Sequence, residues 1–159
     1  MNRTIRLTSE AFENEEIIPA SFTSKGQGLS PPLAWSQVPE RTKSLVIIMT
    51  DDELPSARLQ AFKITHWILY NIPPHIPGLP GSVSDDALST MGIKAGRNWS
   101  KATGYYPPAP LYGRHRYVFR IYALDTEKLE PQKSSRRGIL KAMKSHVLAF
   151  GELSGFVDK

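Results

Sequence analysis

Thirteen prolines and eleven glycines are spread along the whole of this 159-residue chain, and their distribution constrains its fold more than any other feature. Proline ends or kinks helices, and glycine favours turns, so a chain that carries both throughout is poorly suited to a bundle of long helices. Many short strands joined by turns accommodate such a composition. The sequence therefore predicts a mainly β fold.

Three stretches have the pattern of core strands. Residues 45–49 are a continuous apolar run, which is typical of a central strand covered on both faces. Residues 64–72 and residues 113–125 are rich in β-branched and aromatic side chains. Side chains alternate between the two faces of a strand, so the pattern predicts two shared faces. These are His66, Ile68 and Tyr70 on one strand, and His115, Tyr117, Phe119, Ile121 and Ala123 on the other.

One helix is predicted near the C-terminal end of the chain. Ser134 or Ser135 can cap a helix that continues to about Ser145. Ile139, Leu140 and Met143 then share one face, which we expect to pack on the protein.

The length of the chain predicts a single domain, residues 1–159, large enough to bury roughly 70% of its unfolded surface. The absence of cysteine excludes disulfides, thiol catalysis and cysteine-bound metal, and it suits a reducing compartment. No stretch approaches the roughly 18 apolar residues of a membrane span, and no secretory signal is visible. We therefore expect a cytoplasmic protein that is not embedded in a membrane.

The chain carries a formal net charge of +5 and a sequence pI of about 9.5, which favours an anionic partner. The basic residues are scattered, with local groups only at residues 114–120 and 133–137. Proteins that bind nucleic acid usually concentrate positive charge along one element. We therefore expect a small anionic ligand and no nucleic acid.

Polar residues stand at the ends of all three predicted core strands. Asp51 follows the first, His66 lies near the start of the second, and His115 lies at the start of the third. These side chains could converge on one site, or each could be satisfied by a neighbouring backbone group. Of the other histidines, His75 lies in a proline-rich loop and is expected to be solvated. His146 precedes an apolar pair and is expected to be a core or helix-end residue.

Two histidines and a carboxylate can bind zinc or iron, so a metal-assisted hydrolase using Asp51, His66 and His115 is an alternative. The three residues lack the close spacing of local ligand pairs, and no Gly-x-Ser-x-Gly elbow, dinucleotide fingerprint or phosphate-binding loop is present. No catalytic nucleophile, metal or cofactor is therefore expected, and a binding protein is preferred to an enzyme.

Several motifs occur in a specific order along the chain. They are Ser-Pro-Pro-Leu-Ala-Trp (30–35), Val-Pro-Glu (38–40), Thr-Asp-Asp-Glu-Leu-Pro (50–55), His-Trp-Ile-Leu-Tyr-Asn-Ile-Pro (66–73), Gly-Arg-His-Arg-Tyr-Val-Phe (113–119), and Ala-Met with His-Val-Leu-Ala (142–149). From about Leu7 to Val157, the ordered set resembles the phosphatidylethanolamine-binding proteins, also called Raf kinase inhibitor-like proteins. The resemblance is greatest to their short bacterial and archaeal branch.

This resemblance implies a large antiparallel sheet packed on a smaller sheet, with one or two peripheral helices. It also implies a small pocket for the phosphate of a phospholipid headgroup or a similar anion, such as phosphorylethanolamine. The residues implied to form or line this pocket are Asp51, His66, His115, Tyr117, Pro55, Ala109 and Pro110. The resemblance is also compatible with binding to a target protein, as an inhibitor of a protease or a kinase. It further implies a possible homodimer, which sedimentation can check.

The chain departs from the family pattern at three places. Asp52 stands where the aspartate-rich signature has its first proline, and Leu54 stands where it has alanine. Tyr106 and Pro107 replace the usual Gly-Gly approach to the Pro-x-Pro segment, which adds bulk at the expected rim of the pocket. These departures bear on the identity of the ligand.

Overall fold

The computed structural model describes residues 2–52 and 63–159, which form ten strands and two helices. The strands are β1 (Asn2–Arg3), β2 (Arg6–Thr8), β3 (Glu16–Ile17), β4 (Leu33–Ser36), β5 (Ser44–Asp51), β6 (Ile64–Ile72), β7 (Gly78–Leu79), β8 (Lys94–Ala95), β9 (Arg114–Leu124) and β10 (Val147–Asp158). The helices are α1 (Asp85–Thr90) and α2 (Arg136–Met143), and a single 3₁₀ turn spans Ala20–Phe22.

The strands form two sheets. The large sheet has the order β1-β10-β9-β5-β6-β8, and β3 also pairs with β10. All its pairings are antiparallel except those of the short β1 and β3, which lie parallel to β10. The small sheet has the order β2-β4-β7. The prediction of a mainly β fold with a large and a small sheet is confirmed.

The two faces of the large sheet are covered by different parts of the chain. One face packs against the small sheet, and side chains such as Met49 and Phe119 meet Leu7 and Trp35 in the main core. The other face carries a second cluster, in which Ile48 and Ile68 pack beneath α2. We call the first the inner face and the second the outer face. Because β5 is covered on both sides, every one of its residues is buried, as its apolar sequence predicts.

Helix α2 begins after the predicted cap, since the Ser135 hydroxyl accepts a hydrogen bond from the Gly138 N–H. Ile139 and Met143 are buried as expected, but Leu140 is exposed, so its predicted place on the packing face is wrong. The helix presents a narrower apolar stripe to the sheet than the sequence suggested. Neither helix of the described residues has the length and hydrophobicity needed to cross a bilayer.

A β-bulge changes the direction of His66. Met49 pairs with Trp67, but Thr50 pairs with Thr65, so His66 is an extra residue on β6. In such a bulge, two successive residues oppose a single partner and the regular alternation is interrupted. His66 therefore shares the inner face with Trp67 and Tyr117, and its ring lies 5.1 Å from that of Tyr117. The prediction that His66 shares a face with Ile68 and Tyr70 is wrong, because strict alternation allows no bulge.

Two neighbouring residues of α2 test this packing. Ile139→Ala is expected to lower the free energy of unfolding by about 2–5 kcal/mol, because it leaves a cavity in the outer-face core. Leu140→Ala is the matched control, and its expected cost is below about 1 kcal/mol, because this side chain is already 37% exposed. Urea denaturation measures both values. Equal losses would show that α2 packs through a different face.

Candidate functional site

The site begins where β5 and β9 lie side by side. Asp51, the last residue of β5, pairs directly with Tyr117 on β9, and His115 is the next residue along β9 on the same face. Such diagonal neighbours are within reach of each other's side chains. His115 Nδ1 lies 2.7 Å from Asp51 Oδ2, and the Tyr117 hydroxyl also hydrogen-bonds to Asp51. One buried carboxylate therefore organises an imidazole and a phenol.

The hydrogen bond to Asp51 determines which tautomer the neutral His115 ring adopts. An ionised carboxylate only accepts hydrogen bonds, so Nδ1 must carry the proton and Nε2 is left as the second functional nitrogen. His115 Nε2 is buried and has no hydrogen-bond partner within the described part of the chain. Buried polar atoms in native proteins are nearly always paired. An unpartnered imidazole nitrogen beside a carboxylate is therefore a candidate contact atom for a ligand.

His66 reaches the same site from β6. Its Nδ1 donates to the backbone carbonyl of Tyr106 at 2.6 Å, and the Tyr106 N–H donates to the His66 carbonyl at 2.7 Å. The two rings also stack, with centroids 5.2 Å apart and planes 22° apart. Tyr106 therefore fixes both the tautomer and the plane of the imidazole. The remaining nitrogen, Nε2, is then unprotonated in the neutral ring.

A loop from residue 105 to residue 113 forms one side of the site. Its start contacts His66 through Tyr106, and near its end the Tyr112 ring meets His115 edge-on at 5.4 Å. Between these contacts, Ala109 is exposed and Pro110 is half-buried. Both histidines are thus flanked by aromatic rings contributed by a single loop.

Burial controls the ionisation of the site. It lowers the pKa of His66, against the opposing effects of the Tyr106 carbonyl and the Asp51 carboxylate. Burial, with the adjacent negative charge of Asp51, raises the pKa of Tyr117 above its ordinary value. Tyr117 is therefore a protonated hydrogen-bond donor, and His66 is neutral near pH 7.

Four of the seven predicted pocket residues meet in the structure: Asp51, His66, His115 and Tyr117. Ala109 and Pro110 lie on the adjoining loop, and Pro55 lies outside the described residues, as does Leu54. The predicted set omitted Tyr106 and Tyr112. Their position in a stiff aromatic and proline segment directly before β9 was the available signal, whereas the hydrogen bond from His66 to a backbone carbonyl leaves no trace in the sequence.

Asp51, His66 and His115 do not form a metal-binding cluster. No group of three or more His, Cys, Asp or Glu side chains in residues 2–52 and 63–159 is arranged to hold a metal ion. Asp51 Oδ2 and His115 Nδ1 are bonded to each other, and His66 Nδ1 is bonded to the backbone. These hydrogen bonds use the Nδ1 atom of each imidazole and leave both Nε2 atoms out of them.

The other two histidines lie apart from this constellation. His75 is exposed in its loop. His146 follows α2, and its Nδ1 lies 2.7 Å from Asp125 Oδ1 with 43% of the side chain exposed. His146 is therefore a helix-end residue, as one expectation had it, and its alternative placement in the core is wrong.

Comparison with known proteins agrees with this architecture. Residues 8–158 match the family model described as phosphatidylethanolamine-binding protein, so the chain belongs to this family. A UPF0098 protein from Methanothermobacter thermautotrophicus is 42% identical over 153 residues, which cover 95% of this chain and 97% of the relative. The prediction of family membership is confirmed.

Solved structures extend the comparison to the fold. A phosphatidylethanolamine-binding protein homologue from Chlamydia trachomatis is 34% identical, with a TM-score of 0.87 over 99% of each chain. YbcL from E. coli, described as a member of the mammalian PEBP family, is 26% identical, with a TM-score of 0.86 over 98% of this chain and 99% of its own. The fold and the family together define a PEBP-type binding protein.

The lowered pKa of His66 predicts a pH dependence of stability. The unfolded chain takes up a proton at the ordinary histidine pKa of about 6.5, but folded His66 does so only at lower pH. The free energy of unfolding is therefore expected to fall as the pH drops below about 6.5, and His66→Gln should make this decline shallower. Urea denaturation at a series of pH values measures the slopes. Identical slopes for the two proteins would contradict the burial of a neutral imidazole.

Proposed function

We propose that this protein binds a phosphate-bearing small molecule or phosphorylated group through the Nε2 atoms of His115 and His66. The observation that carries the proposal is the buried Nε2 of His115, which has no hydrogen-bond partner among residues 2–52 and 63–159 and is held in position by the bond from its Nδ1 to Asp51. A hydrogen bond from this atom to a ligand oxygen would satisfy it. The family name and the names of the related structures support phosphate-containing ligands of the phosphatidylethanolamine type.

Binding of an anion at this site requires a proton. In the neutral state both Nδ1 atoms donate to fixed acceptors, so both Nε2 atoms present lone pairs. The dianion of a phosphate monoester also presents only lone pairs and would be repelled. One imidazole must therefore become an imidazolium, which donates from both nitrogens.

The charged and titratable groups around the two histidines determine where this proton goes. Asp51 on β5 and Tyr117 on β9 face His115, and Tyr112 meets it from the loop. Burial disfavours charge on His66, whereas the Asp51 carboxylate is bonded directly to His115. We expect His115 to carry the additional proton in the complex, with the phosphate placed so that His115 separates it from Asp51.

The surface beside His115 suits an organic group attached to the phosphate. Tyr112 is 58% exposed and Leu111 is 81% exposed, so the loop next to the site presents apolar surface to solvent. A headgroup of the phosphorylethanolamine type, attached to a lipid or free, can place its phosphate at the histidines and its substituent along this loop.

The proposal also includes a biological role: the protein acts in the cytoplasm and regulates a protein target. The hydrolase alternative gains no support from the arrangement of the three side chains.

The proposal predicts that anion affinity depends on pH. Phosphate and sulfate are both expected to bind more tightly as the pH falls from about 8 to about 5.5, because the anion requires an imidazolium donor and protons become more available through the histidine range. Sulfate remains a dianion over this range, so its binding reports a proton on the protein and not on the ligand. Titration calorimetry measures both affinities. Phosphate binding that strengthens while sulfate binding does not would contradict protonation of the protein.

Two variants provide the matched test of the residues. His115→Ala should abolish binding, and it should also cost about 1–3 kcal/mol of stability because it removes a hydrogen-bond partner of a buried carboxylate. His146→Ala removes a histidine that also pairs with an aspartate but lies outside the site, and it should bind as the unmodified protein does. Full binding by His115→Ala would disprove the proposal. Stoichiometric zinc or iron held by both histidines would favour the hydrolase.

A further inference from the structure

A second group of polar residues lies on the outer face, directly across the sheet from the candidate site. We call Thr50, Asp52, Lys63, Arg120 and Glu152 the Arg120 cluster. Its centre is the Arg120 guanidinium on β9, which reaches Thr50 on β5 and Asp52 just after β5 on one side, and Glu152 on β10 on the other. The cluster is partly buried, with 21% of the Arg120 side chain and 12% of the Asp52 side chain exposed.

The guanidinium holds the residues on both sides of Asp51. Arg120 donates from Nη1 to Thr50 Oγ1 at 3.1 Å and from Nη2 to Asp52 Oδ2 at 2.8 Å. The Thr50 hydroxyl donates in turn to Asp52 Oδ1 at 2.7 Å. Thr50 and Asp52 are thereby joined in one ring of hydrogen bonds on the outer face. Asp51 lies between them in sequence and directs its carboxylate to the inner face.

Further contacts fix Asp52 itself. Its backbone N–H donates to the Arg116 carbonyl at 2.8 Å, and Lys63 Nζ lies 3.2 Å from its Oδ2. Burial alone would raise the pKa of Asp52, but hydrogen bonds from Arg120 and Thr50 hold it below the ordinary value. Asp52 is therefore a carboxylate with fixed partners on β9 and on the residue that precedes β6. Proline, which the family signature has at this position, could make none of these contacts.

At its end, β5 pairs regularly with β9 through Asp51, but its pairing with β6 is irregular. The pairing of β5 with β6 is interrupted at Thr50 by the bulge that directs His66 to the site, and β5 ends one residue later at Asp51. A strand end next to a bulge has fewer regular ladder bonds to hold it than the middle of a strand. Asp51 must nevertheless reach both His115 Nδ1 and the Tyr117 hydroxyl.

We propose that Arg120 is a positioning residue that acts through Thr50 and Asp52 on the Asp51 carboxylate. By holding both neighbours of Asp51, it keeps the hydrogen bond to His115 Nδ1, and this bond keeps the ring in the orientation from which a protonated Nε2 can donate to the ligand. This inference rests on the proposed function, because Nε2 of His115 is the proposed contact for phosphate. Glu152 shares the guanidinium but contacts it at Nε, at 2.8 Å, away from the nitrogens that hold Thr50 and Asp52.

The test compares Arg120→Gln with Glu152→Gln by NMR of the imidazole nitrogens. In the unmodified protein, His115 should show a protonated Nδ1 and an unprotonated Nε2 at high pH. Arg120→Gln should produce a mixture of the two tautomers and weaken the binding of inorganic phosphate by at least about tenfold, the effect of losing one hydrogen bond to a charged group. Glu152→Gln should leave the His115 spectrum unchanged and the phosphate affinity within about twofold, a change below 0.5 kcal/mol.

Stability is measured in parallel by urea denaturation, because both variants lose an ion pair. A purely structural role of Arg120 predicts that any loss of stability leaves the tautomer of His115 intact, and this result would overturn the inference. Equal changes of the His115 spectrum in both variants would overturn it as well. If Arg120→Gln does not fold, Asp52→Asn retains the shape of the side chain and its N–H while weakening the bond to Arg120, and the same spectrum is expected to change.

The experiment separates this inference from the proposed function. Failure of the unmodified protein to bind phosphate would refute the function proposed above. The tautomer of His115 would still show whether Arg120 positions Asp51, since that readout requires no ligand.

Discussion

The hydrogen bond between Asp51 and His115 is the interaction on which the candidate site depends. It joins adjacent strands of the large sheet across 2.7 Å and lies almost entirely out of solvent. A buried carboxylate is costly unless it is hydrogen-bonded, and His115 and Tyr117 both supply such bonds. The same bond commits His115 Nδ1 to the protein and leaves Nε2 for other contacts. The same hydrogen bond therefore stabilises the buried Asp51 carboxylate and determines which His115 nitrogen is free of this contact.

Departures from regular β structure bring the rest of the site to this pair. A bulge turns His66 to the inner face, where its ring meets Tyr106 and Tyr117. Bulges are frequent beside functional sites because they redirect a side chain without ending the sheet. On the outer face, the Arg120 cluster occupies the same end of β5. The two consecutive aspartates thus serve different faces, Asp51 toward the site and Asp52 toward the ion pairs.

The strands that carry the site could be predicted from the sequence, because residues 45–49 and 64–72 are long enough and apolar enough to indicate buried strands. The face of His66 could not be predicted by alternation, since a one-residue bulge leaves no pattern of its own. Its position near the start of a strand allowed it to converge with Asp51 and His115 as one of two alternatives, and the resemblance to a family implied its place in the site. The contacts of Arg120 were also beyond prediction, because sequence spacing does not reveal which strands become neighbours.

The most direct measurement is a crystal structure of the protein soaked in phosphate. The account predicts a phosphate oxygen within about 3.2 Å of His115 Nε2, with the bond from Nδ1 to Asp51 retained. His66 Nε2 should face the same phosphate, and its Nδ1 should still donate to the Tyr106 carbonyl. Phosphate bound elsewhere, or a His115 ring rotated so that Nε2 contacts a protein group, would contradict the account.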